Sequence, residues 1–331
     1  MARGRLARPG GRLAVGIDLG GTTLSGLLMR EDGGVLARRR RATPKAEGAE
    51  AVLAAVRDMA AELLAEARAM KDTTAGAPAL ASREVAGLGF GIPGPVDAER
   101  GVCLFSPNLG WRDLDVASYF RQAFDLPVRV DNDVRAATLG EAWLGAGRPY
   151  RTFICLTVGT GIGAGVMLDG RLWRGPGSCA GEIGHIPIDM RPDAPLCGCG
   201  RRGCLEAVAS GTAIAREAGM PSARDVADAA RRGDAGAIAV LERAAVFLGL
   251  GISTAITLYN PEAVVVGGGV AGAWDLIGPV VRRTVEERTF PPNLAGLRGI
   301  FPAALGQDAG AVGAASLVLA PGVAQVEGAS P

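Results

Sequence analysis

The only histidine of this 331-residue chain and three of its six cysteines fall in one stretch, GEIGHIPIDMRPDAPLCGCGRRGCLE, from Gly181 to Glu206. His185, Cys197, Cys199 and Cys204 supply one imidazole and three thiolates, the donor set of a closed tetrahedral structural zinc site. The intervening GCGRRG offers the tight turns that wrap a chain around a metal. A solvated histidine beside buried thiols is the plainer alternative, and the clustering favours the metal. The spacing is not that of an ordinary zinc finger, so the segment reads as a loop staple inside a larger domain. Zinc on one ring nitrogen of His185 would orient the other toward a ligand. Glu182 and Glu206 flank the same unit, and paired carboxylates beside an imidazole suit the vicinal hydroxyls of a sugar. Asn108, in SPNLGW, adds an amide.

A second group of residues suits phosphoryl transfer. Asp131-Asn132-Asp133 falls where a strand gives way to a helix. Helix capping explains one of the three. Continued strand alternation puts Asp131 and Asp133 on one side and Asn132 on the other. A carboxylate there can accept a hydroxyl proton. A strand ending in Asp18-Leu19-Gly20-Gly21-Thr22-Thr23 offers backbone N–H groups that a phosphate can approach closely, with Asp18 placed to hold hydrated Mg²⁺. A simple hairpin turn would explain the glycines alone. A second glycine turn, Gly159 to Gly163 with Thr160 and Gly161, and a third at Gly267 to Gly269 with Gly268, suit a nucleotide held between two domains. The chain has neither a Walker A motif nor a convincing dinucleotide fingerprint.

The elements that must carry these residues show through hydrophobic patterning. LAVGIDLGGTTLSGLLMREDGGVLARRR reads as an antiparallel three-strand meander, Gly48 to Met70 as a helix, and VAGLGFGIP as a short buried strand. TFICLTVGTGIGAGVMLDGRLWRG repeats the meander, with Thr157 standing where Asp18 does, which implies two similar halves. Ala213 to Tyr259 reads as mostly helical, PEAVVVGGGVA as a strand into a glycine turn, and Asp308 to Leu319 as a final helix. The apolar run Phe247 to Ala271 is broken by Asn260-Pro261 and three glycines, so no bilayer span is expected. With 35 basic and 34 acidic residues the chain has no bias toward nucleic acid or an anionic membrane. No secretory leader is evident, the expected location is cytoplasmic, and the remaining cysteines Cys103, Cys155 and Cys179 read as small buried residues.

Taken together, DLGGTT, SPNLGW, DNDVRAA, the glycine-rich run from Leu156 into GEIGH, and CGCGRRGCLE resemble the ROK family of sugar kinases and repressors, from about Leu13 to Leu319. GEIGH with CGCGxxGC is specific, whereas DLGGTT is shared with many actin-like ATPases. The resemblance implies an α/β fold of the actin-like (ribonuclease H-like) ATPase class, with two domains around a cleft. Residues 13–132 with 306–320 would form the N-terminal domain and 133–305 a larger domain with the zinc loop; 1–12 and 321–331 would be flexible tails. It further implies Asp133 as general base, a sugar site of Asn108, Asn132, Asp133, Glu182, His185 and Glu206, and Mg-ATP at Asp18, Gly20 to Thr23, Thr160, Gly161 and Gly268. Zinc would sit on His185, Cys197, Cys199 and Cys204. Arg135 departs from the family's usual asparagine.

The reaction implied is phosphorylation of glucose at its 6-hydroxyl. N-acetylglucosamine or N-acetylmannosamine as acceptor, or polyphosphate as donor, are the alternatives, because the space around the sugar 2-substituent is not written in the sequence. A DNA-binding repressor needs a helix-turn-helix, and only about a dozen residues precede the first strand. A chaperone or filament would have no use for the zinc loop, and a non-catalytic sugar sensor none for Asp133. A homodimer is the expectation at family level.

Overall fold

A computed structural model describes residues 11–72, 84–106, 108–320 and 322. The tails expected at 1–12 and 321–331 fall outside these, save Gly11, Arg12 and Gly322. The chain divides into two compact units, one ending at Leu144 and resuming at Gln307, the other running from Gly145 to Gly306.

In the first unit, β1 (Leu13–Leu19), β2 (Thr23–Arg30) and β3 (Val35–Ala42) form the meander. After α1 (Ala49–Asp72) comes β4 (Val85–Ile92). Three short strands, β5 (Val96–Asp97), β6 (Val102–Ser106) and β7 (Trp111–Asp115), make a separate small sheet. Then follow α2 (Val116–Phe124), β8 (Val128–Asn132) and α3 (Asp133–Leu144). The main sheet has the order β3-β2-β1-β4-β8, with β4 and β8 parallel to β1.

The second unit repeats this order. β9 (Phe153–Val158), β10 (Ile162–Leu168), β11 (Arg171–Trp173), β12 (Ala263–Gly267) and β13 (Ile300–Pro302) align as β11-β10-β9-β12-β13. Between β11 and β12 lie the cysteine loop, α4 (Leu205–Ala209), α5 (Gly211–Ala218), α6 (Ala223–Arg231) and α7 (Ala235–Tyr259). α8 (Trp274–Arg288) and α9 (Pro291–Leu294) precede β13. Among the described residues α7 alone is long and apolar enough for a bilayer; its Val240, Leu241, Leu248, Ile252 and Ile256 are buried in the core of this unit. It stops at Asn260, whose left-handed backbone (φ 45°) caps it.

The chain returns to the first unit as α10 (Ala309–Leu319). This helix is buried on nearly every face, which its sequence AGAVGAASLVL permits. A Cβ on Gly16 of β1 would overlap the Ala311 carbonyl, one on Gly89 of β4 the Ala314 carbonyl, and one on Gly313 the Ala136 carbonyl of α3. Small residues thus let the helix backbone lie directly on the sheet and on α3. That packing moves the domain boundary expected at 132/133 to 144/145, since α3 belongs with α10 in the first unit.

Candidate functional site

β8 delivers the acidic triplet, and the helix begins at Asp133. Strand alternation therefore ends there, and the expected sharing of one side by Asp131 and Asp133 does not hold. Asp131 is fully buried, its Oδ1 2.7 Å from Nε of the equally buried Arg135 and accepting from the Asn132 N–H at 2.8 Å. The departure at Arg135 thus fills an interior position with a paired charge, and its guanidinium also donates to the Val96 carbonyl at 3.0 Å. Asn132 does the capping: its Oδ1 accepts from the N–H groups of Val134 (3.0 Å) and Arg135 (3.1 Å). Its Nδ2 donates to the Asp133 carboxylate at 2.8 Å and to the Gly94 carbonyl at 3.1 Å. Asp133, half-buried at the helix N-terminus, is oriented by that amide.

Two bonds, from Asn132 to Gly94 and from Arg135 to Val96, tie this junction to the segment leading into the β5–β7 sheet. That sheet presents Asn108, exposed, in the connection between β6 and β7.

Asp18, one residue before the end of β1, is close enough to Asp133 for the two carboxylates to oppose each other's ionisation. Burial first, then the Asp133 charge, push Asp18 up to about 7, with Arg40 pulling the other way. A Cβ on Gly310, at the start of α10, would overlap the Asp18 carboxylate, so glycine there makes its seat. The adjacent turn is a tight one in which the Gly20 N–H donates to the Thr23 carbonyl at 2.9 Å, and the Gly20 carbonyl accepts from the Thr43 hydroxyl at 2.8 Å. Beyond its own chain neighbours, no described atom lies within 4 Å of where a Gly21 Cβ would stand. An anion can reach that backbone.

The second glycine turn is furnished differently. Its Gly159 N–H donates to the Gly161 carbonyl at 2.9 Å, but the Ile162 N–H donates to Glu206 Oε2 at 3.0 Å. A Cβ on Gly161 would overlap that carboxylate. Gly161 therefore admits Glu206, a role its spacing did not announce. Thr160 offers its carbonyl to the Thr212 hydroxyl at 2.8 Å, and the Gly211 N–H donates to Gly159 at 2.7 Å. Gly268, with φ 84°, lies against the end of β9, where a Cβ would overlap the Val158 carbonyl. The start of α5 joins this group without having been foreseen; Ser-Gly-Thr before a helical run was the available signal.

His185, Cys197, Cys199 and Cys204 present ligand atoms all within 4.8 Å of one another. Cys197 Sγ lies 3.6 Å from His185 Nδ1, and Cys199 Sγ lies 3.7 Å from Cys204 Sγ. Atoms at the corners of a tetrahedron about 2.3 Å from a central ion stand about 3.8 Å apart, so the donors fit zinc in both number and spacing. Burial pushes the Cys197 thiol up to about 12, a cost that a cation would relieve. His185 turns Nδ1 to the thiols and Nε2 toward Glu182, 4.0 Å away. Glu206 Oε1 lies 3.6 Å from Cys197 Sγ, linking this cluster to the second glycine turn. Cys103 and Cys155 are buried as expected; Cys179 is exposed, because it sits in the irregular loop after β11 rather than in an element.

The sequence profile of the ROK family matches residues 14–320. A glucokinase of Thermotoga maritima is 35% identical over 325 residues, covering 92% of this chain and 96% of that enzyme. A ROK family glucokinase from Streptomyces griseus, solved in complex with glucose and AMPPNP, superposes with a TM-score of 0.74 at 33% identity, over 92% of this chain and 99% of that one. A xylose repressor of Bacillus spizizenii is 32% identical over 237 residues, 70% of this chain and 61% of the repressor.

Proposed function

The chain belongs to the ROK family, with its actin-like fold of two α/β domains, and from that premise we propose that it is a glucokinase, transferring the terminal phosphoryl group of ATP to the 6-hydroxyl of glucose. The observation that carries this reading is the Asn132–Asp133 pair, a carboxylate held by an amide at a helix start within the electrostatic reach of Asp18 and its open glycine turn. Identity above 30% to glucokinases over nearly the whole chain supports glucose as the acceptor.

In the proposed reaction the Asp133 carboxylate takes the proton of the sugar 6-hydroxyl as its oxygen bonds to the terminal phosphorus. The bond from that phosphorus to the bridging oxygen breaks, and ADP leaves with the electron pair. Asn132 holds the base through its amide, and the backbone of Gly20 to Thr23 cradles phosphate oxygens, with Gly161 and Gly268 permitting close packing at the second turn. Mg²⁺, when bound at Asp18, supplies charge neutralisation on the phosphates. Asn108, Asn132, Asp133, Glu182, His185 and Glu206 bind sugar hydroxyls. Zinc, when bound by His185, Cys197, Cys199 and Cys204, supplies rigidity to the loop from which Glu182 and Glu206 project.

A coupled assay of ADP release with Mg²⁺ and glucose, N-acetylglucosamine, N-acetylmannosamine, mannose or fructose tests this. Highest kcat/KM with glucose is the expected result. A preference for an N-acetylated sugar would move the acceptor, and no ADP release from ATP with any sugar, together with no sugar phosphate formed from polyphosphate, would overturn the reading.

A further inference from the structure

β3 carries four consecutive arginines, Arg38 to Arg41, on the edge of the first unit's sheet. Strand alternation sorts them. Arg39 and Arg41 turn to the α1 side, where both reach Glu62 and Arg39 also reaches Glu66. Arg38 and Arg40 turn to the α10 side. There Arg38 pairs with Asp308 at 3.0 Å, whereas Arg40 reaches the neutral amide oxygen of Gln307. Among the described residues, Arg40 is thus the one member of the run whose bonded partner carries no charge.

Its place in the register is specific. Asp18 stands opposite Ser25, and Ser25 opposite Arg40, so the three share one row and one face across β1, β2 and β3. Ser25 is short and buried, which leaves the long exposed guanidinium a path across β2 toward the carboxyl end of β1. The end of β3 is fastened to the glycine turn itself: the Thr43 N–H donates to the Thr22 carbonyl at 3.1 Å and its hydroxyl to that of Gly20 at 2.8 Å. Arg40 therefore keeps a fixed distance from the turn.

We propose that Arg40 is a donor-binding residue, its guanidinium meeting the terminal phosphate oxygens of a nucleoside triphosphate or inorganic polyphosphate at the Gly20 to Thr23 turn. A planar fork of N–H donors suits such oxygens, and a cation with only an amide partner can turn to an anion without breaking an ion pair. This role presupposes the kinase reading above.

The test is calorimetric titration of Mg-ATP and of Mg-tripolyphosphate into full-length wild type, Arg40→Gln, Arg40→Lys and Arg38→Gln, alongside donor and glucose KM values. Arg40→Gln should weaken donor binding about 10-fold to 50-fold, and Arg40→Lys, which keeps charge but loses the fork, about 3-fold to 10-fold. Arg38→Gln and the glucose KM of every variant should stay within about twofold, because an Asp308-paired arginine has no such role. Loss for both donors supports the shared polyphosphate chemistry, and loss for ATP with no tripolyphosphate binding by wild type assigns the contact to nucleotide. Donor affinity of Arg40→Gln within twofold of wild type, or an equal loss in Arg38→Gln, would overturn the proposal. Should Arg40→Gln fail to fold, an unchanged Arg40→Lys overturns it equally. If wild type binds ATP yet phosphorylates no sugar, the kinase reading falls while Arg40 stands or falls on the titration; if it binds neither donor, both fall.

Discussion

The two units share a strand order and a glycine hairpin, yet the ends of their strands carry opposite equipment. In the first, β1 carries Asp18 one residue before its end, β8 ends at Asn132 with Asp133 next in the chain, and the glycine turn is left open. In the second, Thr157 stands in place of Asp18, β13 ends at Pro302, and the turn is closed on a carboxylate of its own, Glu206. A duplicated scaffold thus holds a turn with open space beside it in one copy and a turn filled by a carboxylate in the other. The difference rests on a few side chains at the strand ends, since the sheets beneath them match strand for strand.

If chemistry belongs to the first unit, Asp133→Asn should cut kcat by about 10²-fold to 10⁴-fold, the usual worth of a general base, with glucose affinity held within a few-fold. Single-turnover rates and glucose titration would measure both, and substantial residual turnover would remove Asp133 from the base role. If the second unit presents the sugar ligands, Cys199→Ser should lower bound zinc and weaken glucose binding roughly 10-fold or more. Metal analysis with titration checks this, and full activity in metal-free protein would break the comparison. The turns can be contrasted directly. Gly161→Ala pushes a methyl into Glu206 and should raise the glucose KM by about 5-fold to 10-fold, through about 1 kcal/mol of displaced contact. Gly21→Ala meets nothing within 4 Å and should leave glucose untouched, raising only the donor KM if phosphate approaches the backbone there.

The smallest expected effect is on stability. Asp18 has its carboxyl raised to about 7 in the fold, from 3.8. The stability it contributes as a protonated group is fully present below about pH 4 and lost as pH rises through about 7. In metal-free buffer, Asp18→Asn should therefore lessen the decline in unfolding free energy between about pH 4 and pH 8, by about 1 to 2 kcal/mol after allowance for solvent screening. Urea denaturation across that range reads it. Parallel slopes for wild type and variant would show that Asp18 ionises without cost.

Much of this arrangement was legible because it is local. Period-two alternation broken by glycines marks both hairpins, and a histidine with three nearby cysteines marks the cluster they form. The hidden parts depend on distance or on a change of period. Strands of two to five residues, such as Val96–Asp97 and Trp111–Asp115, are too short for alternation to register. Asp131 turns inward because the helix starts two residues later, and its partner Arg135 lies a helical turn beyond. The bond from Ile162 to Glu206 spans 44 residues, and no local pattern encodes it. The unit boundary at Leu144 follows from the seating of α3 on α10, far along the chain.

That last helix has a consequence for how the protein is made. Residues 145–306 form a continuous unit and draw their core from one uninterrupted stretch of chain. The first unit begins earlier but cannot finish, because the glycine-lined face of β1 and β4 waits for Ala309–Leu319 to emerge from the ribosome. The half translated first therefore closes last, with the final helix of the chain.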